Sequence, residues 1–200
     1  MSAHCTGQTT QLIDLARSSA DMMTALRAVR SLGLPDWCIG AGAVRNLVWD
    51  HLHGKTEPSA LADIDVAYFD AADIAPERDA QLQARLGELL PGRPWEVSNQ
   101  AAVHLWFEAH FGHAVQPLGS LEQAVASWPE YATAVGLRLE ADDAITVIAP
   151  LGLEDLFACV VRRNPARSAS TPTASGWGRS AMPSAGRGSG SWHAERQEPP

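Results

Sequence analysis

Apolar residues recur along this chain at helical and at alternating intervals, and the intervals predict its elements. Between residues 10 and 32, Leu12, Ile13, Leu15, Met22, Met23, Leu26 and Val29 fall at helical spacing with a polar break at residues 18–21. That spacing predicts two short helices, with Met22 and Met23 as core filler, ended by Gly33 and Pro35. The apolar run at residues 37–39 predicts a short buried strand, and Val44, Leu47, Val48 and Leu52 then mark one face of a helix that closes at His51, His53 and Gly54. Residues 63–68 form a second strand. Pro76 suits a first helical turn, and Leu82, Leu86, Leu89 and Leu90 build an apolar face in a helix within residues 73–91. Trp95 and Val97 alternate with Glu96 as a third strand. Residues 101–111 stay open between strand and helix, because Val103, Leu105 and Phe107 alternate while the composition also tolerates a helix. Ser120-Leu121-Glu122-Gln123 resembles a capping box opening a helix to about Trp128, which Pro129 ends. Runs at 132–140 and 144–149 read as a strand hairpin. Leu151, Leu153, Leu156, Phe157, Val160 and Val161 read as a core-facing helix ending at Arg162-Arg163-Asn164-Pro165.

Composition limits what these elements assemble into. A chain of 200 residues with 46% hydrophobic and 19% charged residues is a globular chain of one domain plus tails. We expect a loose stretch at residues 1–9, the domain at 10–167, and a disordered, low-complexity tail at 168–200, where Ser, Gly, Pro and Ala dominate without an apolar period. No apolar run approaches the ~18 residues of a membrane span, and the N-terminus shows neither a basic start nor an apolar signal core, so a cytoplasmic protein is expected. The net charge of -8 disfavours broad nucleic-acid binding. Cys5, Cys38 and Cys159 are odd in number and far apart, which predicts free thiols with Cys38 and Cys159 buried.

Candidate chemistry concentrates between Trp37 and Tyr68. Gly40-Ala41-Gly42-Ala43-Val44-Arg45-Asn46 follows a strand and opens a helix, and Asp63-Ile64-Asp65-Val66 follows on the next strand. One reading is a dinucleotide fold, but Arg45 stands where its fingerprint needs a small residue, and two acids replace one. The other is nucleotidyl transfer. Residues i and i+2 of a strand share a face, so Asp63 and Asp65 project together. Adjacent carboxylates repel unless a cation or a proton lies between them, and magnesium suits carboxylates plus triphosphate oxygens. Glu96 is the third carboxylate if its strand pairs alongside, which allows a two-ion site. Gly40 and Gly42 let backbone N–H groups approach phosphate, and Arg45 and Asn46 donate from the helix start. Alone, an Asp-x-Asp is usually a solvent-facing edge and a Gly-x-Gly usually a turn. Their order, with a helix between them, favours the functional reading.

The same residues carry a resemblance. The two segments just quoted, together with Trp95-Glu96-Val97-Ser98-Asn99-Gln100-Ala101, Trp128-Pro129-Glu130-Tyr131-Ala132-Thr133-Ala134-Val135 and Ala149-Pro150-Leu151-Gly152-Leu153-Glu154-Asp155-Leu156-Phe157, resemble successive blocks of a bacterial nucleotidyltransferase-like family of uncharacterised function. That family lies within the polymerase-β-like nucleotidyltransferase superfamily. The resemblance covers about residues 20–167 and implies an α/β fold with a mixed sheet flanked by helices. It implies magnesium-dependent NTP chemistry directed at an unidentified acceptor, with Asp63 and Asp65 as metal ligands and Glu96 as a third. Asn99, Gln100, Thr133 and Asp155 fall in matching blocks, either as pocket candidates or as buried hydrogen-bonding residues, and His104 in a structural role. Two departures stand out: Ala102 replaces an expected basic residue, and the segment from Ser168 replaces an expected helical, Trp-containing end. They keep a second reading open, a nucleotide-binding or protein-interaction module without turnover. A dinucleotide oxidoreductase is the third.

Overall fold

The computed structural model describes residues 3–111 and 114–165. Helix α1 spans Ala3–Ser18 and α2 spans Ala20–Arg30. The break between them falls where the polar interruption predicts, and the Ser19 hydroxyl accepts from the Met22 N–H at 3.2 Å as the cap of α2. Strand β1 (Asp36–Gly40) leads into α3 (Ala41–Leu52), followed by β2 (Ile64–Phe69), α4 (Pro76–Leu89) and β3 (Trp95–Asn99). A 3₁₀ turn at Gln100–Ala102 enters α5 (Val103–Phe111). Then come α6 (Leu121–Ala126), a second 3₁₀ turn at Tyr131–Thr133, the hairpin β4 (Gly136–Leu139) and β5 (Ile145–Ile148), and the single turn α7 (Glu154–Phe157).

The five strands form one mixed sheet in the order β3-β2-β1-β4-β5. β1 is antiparallel to both β2 and β4, β4 is antiparallel to β5, and β2 and β3 are parallel. The parallel step is the one with α4 as its crossover, since parallel neighbours need a long connection. Alternation along the strands separates two faces. Trp37, Ile39, Ile64, Val66, Tyr68, Trp95, Val97, Leu137 and Leu139 enter the main core with Leu12, Leu26, Val44, Val48 and Leu86 from the helices. Each such large side chain contributes about 1.5–3 kcal/mol when fully buried. The opposite face presents Cys38 and Ala67, small enough for Leu121, Val125 and Trp128 to pack closely over them. Asp65 and Glu96 fall on this second face by the same alternation.

Several expectations change. α1 begins at Ala3, inside the stretch expected to be loose, because no strong breaker stands between residues 3 and 18 and Gly7 alone costs only about 1 kcal/mol. Residues 103–111, open between strand and helix by pattern alone, are helix. The strand expected from residue 132 starts at Gly136, after a turn closed by the Thr133 and Ala134 N–H groups on the Glu130 carbonyl at 3.3 and 3.0 Å. The stripe from Leu151 forms no long core-facing helix. It makes one turn, Cys159 takes φ +53, and Val160 and Val161 are 44% and 60% exposed. Cys38 is buried as expected, but Cys159 is only half-buried, and both are free thiols. The expectations for residues 168–200 lie outside the described residues. Among the described residues no helix is long and apolar enough to cross a membrane.

Candidate active site

Strand register assembles the site. Ile39 pairs with Val66, so the next step along β1 and β2 brings Gly40 beside Asp65; Asp65 pairs directly with Glu96 of β3. Gly40, Asp65 and Glu96 therefore form a row across three neighbouring strands, each separated by about 4.8 Å. Asp63 lies one residue before β2 rather than within it. Its Ile64 neighbour donates an N–H to the Pro94 carbonyl at 2.7 Å, which fixes the entry of β2 against the entry of β3.

The three carboxylates oppose one another. Burial, then the charge of Asp63, then that of Glu96 push Asp65 from its usual 3.8 up to about 8. Burial and Asp63 push Glu96 from 4.5 up to about 7. Every influence on these two groups acts against ionisation, so the site is built for charge that the chain itself leaves uncompensated there. Among the described residues, no group of three or more His, Cys, Asp or Glu side chains is arranged to hold a metal ion by itself. The donor set is nonetheless all oxygen and negative, which is what a hard divalent cation takes, and magnesium needs only one or two protein carboxylates beside water and phosphate. Asp63, Asp65 and Glu96 fit such an ion by their chemistry and by their mutual repulsion.

The glycine turn divides its work differently from the expectation. At Gly40, φ −141 is open to any residue, but a Cβ would lie 2.5 and 2.7 Å from the Trp128 ring and 3.0 Å from the Val135 carbonyl. Glycine is needed there for a tryptophan rather than for a phosphate. Gly42 faces open space, with only an Arg45 Nη2 at 3.9 Å from a hypothetical Cβ. The Ala41 N–H donates to the Val135 carbonyl at 3.2 Å, whereas the N–H groups that follow in the first turn of α3 have no acceptor within the helix. That leaves Gly42 and its successors as the anion-facing part of the turn. Arg45 donates from Nε and Nη2 to the Asn46 Oδ1 at 3.2 and 3.0 Å and lies 5.3 Å over the Trp49 ring, so the two expected donors are already held against each other.

The four pocket candidates lie in local networks. Asn99, 2% exposed, donates from Nδ2 to the carbonyls of Asp70 and Asp73 at 2.8 and 2.9 Å and from its N–H to Asp79 at 3.2 Å; it sits on the opposite sheet face from Glu96. Gln100 donates to the Ser98 hydroxyl at 3.1 Å, and Ser98 shares the Glu96 face. The Thr133 hydroxyl donates to the Glu130 carbonyl at 3.3 Å. Asp155 accepts from Arg162 at 2.7 and 3.0 Å. His104 has a buried Nδ1 without a hydrogen-bond partner. The sequence places Trp128 at the end of a helix and at the head of a matching block, without assigning it a role. Its one signal is size, a tryptophan followed by small residues at Ala132, Ala134 and Gly136.

A cleft of about 420 Å³ opens elsewhere on this face, lined by Asp36, Glu122, Arg138, Thr146 and Ile148 among others, and it excludes the three carboxylates. Its polar groups already satisfy one another: Arg138 bridges Asp36 at 2.5 Å and Glu140 at 2.8 Å, and Thr146 donates to Glu140 at 2.6 Å. The carboxylate row, where burial and like charge oppose the ionisation of Asp65 and Glu96, is the stronger candidate for chemistry.

A family model described as nucleotidyltransferase matches residues 27–176, a span that includes all five strands and the carboxylate row. A solved NMR structure described as revealing a CCA-adding enzyme head domain is similar to the chain, with 36% identity, a TM-score of 0.67, and coverage of 78% of this chain and 79% of that one. No curated protein matches the chain.

Proposed function

The chain belongs to the nucleotidyltransferase family and is a nucleotidyltransferase, and from that premise we propose that it moves a nucleoside monophosphate from an NTP to an acceptor hydroxyl with magnesium. The observation that carries this reading is the pairing of Asp65 with Glu96 beside Asp63: burial and the charge of Asp63 oppose the ionisation of both paired carboxylates. Asp63 and Asp65 hold the ion, with Glu96 as the third ligand. When bound, magnesium offsets the charge of the triphosphate and lowers the cost of separating pyrophosphate. The N–H groups of α3 from Gly42 onward cradle the phosphates, and Arg45 and Asn46 donate beside them. Glu96, at the outer end of the row, orients the attacking hydroxyl and takes up its proton.

The antiparallel pairing of β1 with β2 argues against the dinucleotide reading, since a dinucleotide crossover joins parallel strands. The similarity to a CCA-adding enzyme head domain makes CTP and ATP the first nucleotides to offer. The excess of 23 acidic over 15 basic residues favours an acceptor held locally over one bound along a broad polyanionic surface. We place the reaction in the cytoplasm, where NTPs are available.

Calorimetry with CTP or ATP, with and without magnesium, alongside a pyrophosphate-release assay, tests the proposal. Magnesium-dependent binding with release in the presence of an acceptor-containing extract supports it. Binding that yields no pyrophosphate under any acceptor condition supports a nucleotide-binding module instead.

A further inference from the structure

The contact between Trp128 and Gly40 joins the glycine turn to a distant part of the chain. Trp128 is 7% exposed and packs with Cys38, Ala67, Leu121, Val125 and Ala134. Its ring occupies the space a Cβ at position 40 would need. Directly after Gly40, Ala41 has φ +50, a conformation that a non-glycine residue keeps only where its surroundings over-determine it. Two neighbours act on this turn: the Val135 carbonyl accepts the Ala41 N–H, and the Trp128 ring blocks Gly40 from the side.

Trp128 is itself clamped. Asn164 is 4% exposed, and its Nδ2 donates to the carbonyls of Ala126 at 2.7 Å and Trp128 at 2.9 Å, while its N–H donates to the Pro129 carbonyl at 2.7 Å. Three bonds from one buried residue, two from its side-chain amide and one from its backbone N–H, thus fix the backbone on both sides of the tryptophan. Alongside, the Tyr131 N–H donates to the Arg162 carbonyl at 3.0 Å, and the Arg162 guanidinium lies 4.1 Å over the Tyr131 ring. Residues 162–164 therefore hold the loop that holds the turn.

We propose that Trp128 is a positioning residue for nucleotide binding, locked by Asn164: its ring sets the angle at which α3 leaves β1 and so aims the first free N–H groups of α3 beside Asp65. This rests on the reading of that turn as the triphosphate site. Gly40 has an ordinary backbone conformation, so its replacement by alanine acts through space alone.

The test uses the full chain, magnesium–CTP and magnesium–ATP, and calorimetry, with KM and kcat measured where turnover is found. Gly40→Ala and Trp128→Leu each weaken nucleotide binding by roughly tenfold and raise KM more than they lower kcat. In the double variant the added methyl finds the ring shortened, so binding stays within about threefold of Trp128→Leu alone. Trp128→Phe retains affinity within about threefold of wild type. Asn164→Ala weakens binding in the same direction and adds little to Trp128→Leu. Thermal unfolding in parallel separates this from a purely structural role, which lowers Tm and leaves nucleotide affinity in the folded protein unchanged. Nucleotide affinity unchanged in Gly40→Ala, or fully additive losses in the double variant, overturns the inference alone. A wild type that binds neither nucleotide overturns the triphosphate site and the inference with it.

Discussion

At Asp65, burial and two neighbouring acids all favour the proton, so the metal-free protein holds that proton up to about pH 8, and Glu96 holds its own up to about pH 7. Both folded-state values are raised above the ordinary ones, and the folded state therefore binds more protons than the unfolded chain across that interval. The stability these groups contribute is complete below about pH 4 and is lost as pH rises toward 8. The expected outcome is a Tm of the metal-free protein that falls by several degrees from pH 5 to pH 8 and is recovered by magnesium at the upper end. Asp65→Asn removes the ionisation, so in EDTA its Tm exceeds that of wild type at pH 8 and the difference shrinks at pH 5; a differential scan at the two pH values checks the sign. Strand alternation alone sets Asp65 and Glu96 on the face opposite Ile64, Val66, Trp95 and Val97, whereas Asp63 lies one residue before β2. Gly40 was legible as a glycine but not in its reason, since its partner Trp128 lies far along the chain and no local pattern announces that contact.

Elements show the same division. The break between α1 and α2, the Ser120 cap of α6 and the strand character of β2 and β3 follow from local pattern, and the Ser120 hydroxyl accepts the Gln123 N–H at 3.1 Å. The parallel partnership of β2 and β3 does not, because the sequence fixes which way side chains point but not which strand lies alongside. What secures it is a network at the far end of the pair: the Tyr68 hydroxyl donates to Asp79 at 2.7 Å, Asn99 donates to Asp79 as well, and Arg78 bridges Asp70 at 2.6 Å. Asn99 is a pocket candidate through the family resemblance, with a buried hydrogen-bonding role as the alternative, and its partners Asp70, Asp73 and Asp79 belong to an earlier segment that no local pattern ties to it. Asn99→Ala leaves buried carbonyls without donors and should cost about 1–3 kcal/mol. Urea unfolding checks that loss, and kinetics should show KM for the nucleotide changed less than twofold in the fraction that remains folded, a bound of the size seen for remote, non-contacting sites. A large KM effect with unchanged stability returns Asn99 to the pocket. The stripe at residues 151–161 misled because an apolar period extends past the turn at Cys159, where the chain leaves the helix and exposes Val160 and Val161.

Among the described residues, one sheet face packs into the main core and the other carries a smaller cluster around Trp128, with Asp65 and Glu96 on this second face. This asymmetry makes the fold a platform: the core face supplies stability, and the second face can hold like charges in register without endangering the core. The family match covers residues 27–176, so it extends past the described residues, and Asn164, near the end of the described residues, bonds to the backbone beside Trp128. The central claim is that the carboxylate row performs nucleotidyl transfer. The most direct measurement supplies an NTP labelled on its α-phosphate, magnesium and a fractionated acceptor extract to wild type and to Asp65→Asn, and follows label and pyrophosphate together. The account predicts label passing to an acceptor with one pyrophosphate released per transfer, abolished in EDTA and lowered at least about a thousandfold in Asp65→Asn while that variant stays folded. Equal transfer by folded Asp65→Asn contradicts it.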